Sequence, residues 1–126
     1  MESTGAASPA RPATLRDCVQ AVIQGIQEGK ILRTFERWYA EDVVMTENGE
    51  HAREGKSVNR AYEKAFVHGA EIHSASAQTI LVDGDRAAVE WTFDLTPKGG
   101  VRTLRRQVAL QTWRAGQIVR EDFYHA

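Results

Sequence analysis

The chain has 126 residues, 42% of them hydrophobic and 26% charged, with a formal net charge of -1 from 16 basic and 17 acidic side chains. That length suits one domain with one modest core, and the composition is that of an ordinary globular protein. A near-zero charge gives no global pull towards nucleic acid or an anionic membrane, no apolar run approaches the ~20 residues that span a bilayer, and a single cysteine, Cys18, excludes an internal disulfide. The cytoplasm is the default location. Residues 1–13, rich in Ser, Ala, Pro and Gly and without an apolar segment, read as a disordered tail ahead of a domain over 14–126. From Leu15 the apolar positions Leu15, Cys18, Val19, Val22, Ile23 and Ile26 recur at three and four residues, the stripe of an amphipathic helix. Thr14 is placed as its N-cap, Asp17 adds negative charge to the first turn, and Gly29 stops it. A second short helix carries Ile31, Leu32, Phe35, Trp38 and Tyr39 on one side. A β-like piece over 43–47 closes at Asn48-Gly49, and a third helix over 56–68 turns Val58, Ala61, Tyr62, Ala65 and Phe66 inward.

After Gly69 the period changes from 3.6 to 2. Segments 72–82, 87–96, 103–113 and 118–125 read as strands, divided by Asp83-Gly84-Asp85, Pro97-Lys98-Gly99-Gly100 and Ala115-Gly116-Gln117. Such turns favour hairpins, so the strands form an antiparallel meander. Helices followed by strands make the fold α+β: a curved antiparallel sheet wrapped around about three N-terminal helices. In the second long strand Val89, Trp91, Phe93 and Leu95 share one face. In the third, Val108 and Leu110 lie opposite Gln107, Ala109, Gln111 and Trp113, so both faces mix apolar with polar groups. Either that strand is exposed, or both its faces are covered, one by helices and a pocket and one by another subunit.

Several segments in order resemble the SnoaL-like branch of the nuclear-transport-factor-2-like superfamily, over about residues 15–125. They are Trp38-Tyr39-Ala40-Glu41-Asp42-Val43-Val44-Met45 leading to Glu47-Asn48-Gly49, Arg53-Glu54-Gly55-Lys56, Val82-Asp83-Gly84-Asp85, and the closing stretch from Trp113 to Glu121. The resemblance implies a cone-shaped pocket fold on which isomerases, cyclases, dehydratases and non-catalytic modules all occur. By that likeness Glu47 matches the proton-moving carboxylate of ketosteroid isomerases. The positions of their oxyanion donors fall near Val22 and at Ala109, which cannot donate. In polyketide cyclases of this fold the acid/base group lies on the last strand, where Phe123 stands here with Glu121 two residues earlier.

The resemblance thus implies Glu47 and Glu121 as catalytic carboxylates, with Trp38, Met45, Tyr62, Trp91, Gln107, Gln111, Phe123 and His125 around a pocket. The expected ligand is a hydrophobic, carbonyl-bearing small molecule, handled without cofactor or metal by proton transfer. A non-catalytic binding or dimerisation module is the other class. Val108 and Leu110, on the convex side, point to a homodimer through the sheet.

The remaining signals are weaker. Gly49 to Ser57 imitates a phosphate loop but has five residues between its glycines instead of four. His51, His68, His73 and His125 lack metal-ligand spacing. Arg102, Arg105 and Arg106 read as a solvated strand edge.

Overall fold

The structure, a computed structural model, describes residues 14–126; the tail expected over 1–13 lies outside the described residues. Helix α1 (Leu15–Gln27) begins as the sequence predicts. Thr14 Oγ1 accepts from the Asp17 backbone N–H and the Asp17 carboxylate accepts from Thr14 N–H, a reciprocal cap that satisfies two otherwise orphaned donors. Helix α2 (Ile31–Trp38) follows, and α3 (Lys56–His68) comes after a hairpin of β1 (Tyr39–Glu47) and β2 (Glu50–Glu54). The hairpin turns on Asn48 (φ 53°) and Gly49 (φ 76°), two successive left-handed residues of the kind that joins antiparallel strands tightly. Four long strands complete the chain: β3 (Ala70–Asp83), β4 (Arg86–Pro97), β5 (Thr103–Arg114) and β6 (Gln117–His125).

The fold is α+β, with one six-stranded sheet in the order β2-β1-β6-β5-β4-β3. Its pairings are antiparallel except β1 with β6, which run parallel. The concave face carries Val89, Trp91, Phe93 and Leu95 of β4 and Ala109 and Trp113 of β5, all buried against Val19, Val22 and Ile23 of α1 and Phe35 of α2. Gln107, Gln111 and Trp113 point inward and Val108 and Leu110 outward, in the alternation the sequence predicts. Register stacks the concave residues into rows across the sheet. Glu121 lies opposite Gln111, Phe123 opposite Ala109, and His125 opposite Gln107, while Gln107 faces Trp91 and Arg105 faces Phe93 on the other side.

Helix α3 departs from its expected orientation. Val58 and Tyr62 are 53% and 43% exposed, and Ala61 and Ala65 are exposed too, whereas Lys56 and Asn59 are buried. The polar groups win because they meet backbone carbonyls that need donors. Lys56 Nζ donates to the Glu36 carbonyl at 2.8 Å, and Asn59 Nδ2 donates to the carbonyls of Arg53 and Gly55, both at 2.9 Å.

Candidate functional site

Between the concave face and the helices lies a cavity of about 340 Å³, near the lower end of the ~300–1,000 Å³ typical of small-ligand sites. Its apolar wall comes from Ile26, Ile31, Phe66, Trp91, Phe93 and Phe123, with Tyr62 and Ala65 of α3 where it meets solvent. Trp91 and Phe93 hold each other with ring centres 5.5 Å apart, and Phe66 meets Phe93 edge-on at 6.0 Å. These contacts make the rings a wall and leave the space between them open. Into this wall are set Tyr39, Glu47, Glu63, Arg105, Gln107 and Glu121.

Glu121 sits at the deep end, 2% exposed. Its Oε1 accepts a hydrogen bond from the Tyr39 hydroxyl, and its Oε2 accepts from Gln111 Nε2 at 3.0 Å. The orientation of that amide follows from its other neighbour: the Trp113 indole N–H, which can only donate, reaches Gln111 Oε1 at 2.9 Å. Gln111 must therefore present its NH₂ to Glu121, so each carboxylate oxygen accepts one hydrogen bond, Oε1 from Tyr39 and Oε2 from Gln111. Loss of hydration pushes the Glu121 carboxyl up to about 7; the hydrogen bonds from Tyr39 and Gln111 oppose this, and the charges of Glu47 and Asp122 add to it. Burial first, then the Glu121 charge, pushes the Tyr39 hydroxyl well above the usual phenol range, so it stays a donor at neutral pH.

Glu63 enters from α3, part-buried and without a hydrogen-bond or ion-pair partner among the described residues. Burial and the nearby Glu121 and Glu47 charges push its carboxyl to about 7 against the pull of Arg53. Glu47 is held differently. Its Oε2 accepts from Arg53 Nη2 at 3.1 Å and its Oε1 meets His125 Nε2 at 2.9 Å. Arg53 is itself fixed by Asn59 Oδ1 at 3.1 Å and lies over the Tyr62 ring, 3.7 Å from its centre.

A family model for the SnoaL-like domain matches residues 19–121, most of the chain. The chain belongs to the SnoaL-like family. No curated protein matches its sequence. Among solved structures it is similar to a proposed SnoaL-like polyketide cyclase of Mesorhizobium loti, with 28% identity over 88% of this chain and 98% of that one and a TM-score of 0.80. A protein with a ketosteroid isomerase-like fold from Catenulispora acidiphila, solved in complex with trimethylamine, shares 15% identity over 90% and 88% of the two chains, with a TM-score of 0.74. A proposed isomerase of Bacillus subtilis shares 19% over 88% and 85%, at 0.73. At such identities the last two speak for the fold.

In this SnoaL-like chain, six residues expected from sequence stand together on the cavity wall: Glu47, Tyr62, Trp91, Gln107, Glu121 and Phe123. Four lie off it. Gln111 and His125 act through Glu121 and Glu47, Met45 is buried in the core, and Trp38 packs edge-on against Trp113 at 6.0 Å. The phosphate-loop imitation is divided between the exposed strand β2 and the start of α3. Arg105 does not lie on a sheet edge, because β5 is an interior strand; it faces the cavity, while Arg102 pairs with Asp94 at 2.8 Å. Among the described residues no group of His, Cys, Asp or Glu is arranged to hold a metal ion, and no helix is long and apolar enough to cross a membrane.

Sequence reading put Tyr39 on the second helix, although it opens β1, took Arg105 for a strand edge, and passed over Glu63. Glu63 had a usable signal, since Asn59, Glu63 and Phe66 continue one helical stripe at spacings of four and three. Tyr39 had none, because its partner is 82 residues away.

The two raised carboxyls make stability pH-dependent. A folded value near 7 against ~4.3 in the unfolded chain means that the native state binds more protons between those limits, so stability falls as pH rises through that window. Glu36, Asp42 and Asp94, held low chiefly by hydrogen bonds from arginines, lose their contribution only on acidification below it. The urea midpoint should therefore be higher at pH 5 than at pH 7.5, and a Glu63→Gln/Glu121→Gln double variant should flatten that difference. An equal wild-type midpoint at both pH values would show that these carboxyls are not desolvated.

Proposed function

We propose that the protein is a proton-transfer enzyme of isomerase, cyclase or dehydratase type, acting on a hydrophobic carbonyl-bearing small molecule with Glu121 as its acid/base. The observation that carries this reading is the setting of Glu121: a buried carboxylate at the end of an apolar cavity, held by two donors, with a pKa near working pH. A general acid/base is most effective when its pKa lies close to ambient pH. In the ionised form Glu121 takes a proton from a carbon next to the carbonyl, and the C–H electron pair moves onto the carbonyl oxygen. Glu63 in its neutral form supplies an O–H to that oxygen. Return of the Glu121 proton to another carbon completes an isomerisation with no net change in oxidation state.

The test is conversion of 3-cyclohexenone to its conjugated isomer, together with exchange of its α-hydrogens in D₂O followed by NMR. Exchange above the buffer rate, greatest near pH 7 where Glu121 has begun to ionise and Glu63 still carries its proton, is the expected result. Binding of the ketone with no exchange at any pH would return the protein to the class of non-catalytic binding modules.

We also propose that it works as a homodimer through the convex face. Val108 and Tyr124, 38% and 46% exposed, are cross-strand partners there, with Leu110 half-buried beside them. An apolar patch of this kind, bordered by the Arg120–Asp122 pair, suits the middle of a contact with a polar rim. Light scattering at micromolar concentration should give twice the mass of one chain, and Leu110→Asp should give one. A wild type with the mass of one chain would end this proposal.

A further inference from the structure

The cavity holds one charge that no group among the described residues balances. Arg105 lines it, part-buried, and among the described residues forms no ion pair. Its polar contact is Nη2 with His125 Nε2 at 3.4 Å. That contact cannot satisfy it. His125 Nε2 is also 2.9 Å from Glu47 Oε1, and a carboxylate can only accept, so Nε2 carries a hydrogen and Arg105 meets a donor with a donor. Glu47, which shares the wall, already has an oxygen committed to each of Arg53 and His125. Glu63 and Glu121 can discard their charge by taking up a proton; a guanidinium cannot. The side chain that must be balanced from outside is therefore Arg105.

We propose that the substrate carries a carboxylate that Arg105 binds, at the opposite end of the cavity from Glu121. This names the substrate class of the proton-transfer site and rests on that reading. Arg105 stands on the same strand as Gln111, the partner of Glu121, six residues away, or about 20 Å of strand at ~3.4 Å per residue. The long Arg and Glu side chains shorten that span, and Gln107, Ala109, Phe123 and Trp91 occupy it. A ligand reaching both ends has an anionic head at Arg105, an apolar body against the Trp91 and Phe123 rings, and its reacting carbon near Glu121. Among the described residues one guanidinium, that of Arg105, lines the cavity, which suits a monoanion. A guanidinium also offers two parallel N–H groups to the two oxygens of a carboxylate. A phosphate dianion would leave a charge unmatched.

The charged and titratable groups on or just behind the cavity wall are Glu47 and Tyr39 on β1, His125 and Glu121 on β6, Glu63 and Tyr62 on α3, and Arg53 behind Glu47. Glu47 and Arg53 offset one another. Below about pH 7 Glu63 and Glu121 are largely neutral, so the wall presents the Arg105 charge; above it they ionise and repel an anion. Carboxylate affinity should then fall several-fold between pH 6 and pH 8, and that of a neutral ligand should not.

The experiment is calorimetric titration of the full chain with 3-phenylpropionate, 3-phenylpropionamide and phenylethylphosphonate at pH 6 and pH 8. At pH 6 the carboxylate should bind about tenfold or more tighter than the amide, the scale of a charge-assisted hydrogen-bonded pair. Arg105→Gln should remove that preference and Arg105→Lys should keep part of it. In case Arg105→Gln does not fold, the wild-type NMR signal of the Arg105 Nε–H should shift with carboxylate and stay in place with amide. Equal affinity for carboxylate and amide, a preference surviving Arg105→Gln, tighter binding of the phosphonate, or no carboxylate binding at millimolar concentration each overturns the assignment. Ketone exchange with no carboxylate preference would remove this inference alone. Carboxylate binding through Arg105 with no exchange would remove the proton-transfer reading alone.

Discussion

Glu121→Gln should slow ketone exchange by about 10²- to 10⁴-fold, the range that a positioned general acid/base contributes, while the ketone binds as before. Glutamine has the same shape and removes only the ability to take a proton. Its carbonyl can accept from Gln111 Nε2 and its NH₂ can face the Tyr39 oxygen, which then accepts instead of donating, so the pocket keeps its form. Stability should move the other way. Above pH 7 the wild type holds a desolvated carboxylate at this position, and the variant does not, so its urea midpoint at pH 8 should equal or exceed the wild-type value. A rate drop with stability retained separates chemistry from folding damage. An unchanged rate would remove Glu121 as the base, and Glu63→Gln would be the next variant to measure.

Trp113 gives that argument a second handle. Its indole N–H orients Gln111, and the amide in turn donates to Glu121 and opposes the rise of its carboxyl pKa. Trp113→Phe keeps an aromatic ring but removes the N–H and frees the amide to rotate, so exchange should show a displaced pH–rate profile. A profile identical to wild type would make Trp113 a packing residue only.

The sheet was legible in the sequence because its signals are local. Val89, Trp91, Phe93 and Leu95 alternate with polar residues, and each turn carries the Gly or Asp its geometry needs. Strand β2 was not legible, since Glu50–Glu54 is short and largely exposed and contributes backbone pairing without apolar alternation. Its only trace was Asn48-Gly49. The family likeness pointed to Glu47 and Glu121, yet the difference between their surroundings depends on neighbours far along the chain. Arg53 and His125 bind Glu47, while Tyr39 and Gln111 bind Glu121. Arg105 misled for a similar reason: three nearby arginines look alike in sequence, and only strand order and alternation show that the middle one turns inward.

Asn59→Ala should destabilise the fold by about 3 kcal/mol and disturb the site from a distance. Asn59 is fully buried, and its amide joins three elements. Nδ2 donates to the carbonyls of Arg53 on β2 and Gly55 at the start of α3, with a longer contact of 3.5 Å to Val43 on β1, and Oδ1 accepts from Arg53 Nε. Alanine would leave the Arg53 carbonyl and the Arg53 Nε–H without these partners in a part-buried setting, each worth roughly 1–3 kcal/mol. The Gly55 carbonyl is less exposed to loss, because the Asn59 backbone N–H also reaches it at 3.2 Å. Aspartate would not rescue the variant, since it has no hydrogen to give the carbonyls. The functional consequence runs through Arg53, which Asn59 holds against Glu47 and over the Tyr62 ring at the cavity mouth. A released Arg53 leaves Glu47 with His125 alone, and the unpaired carboxylate charge then acts on Glu63 and Glu121, raising both further. Urea unfolding measures the first effect and the pH profile of ketone exchange the second, which should move to higher pH. A midpoint within error of wild type would mean that water replaces the amide and that Asn59 does not hold the hairpin to α3.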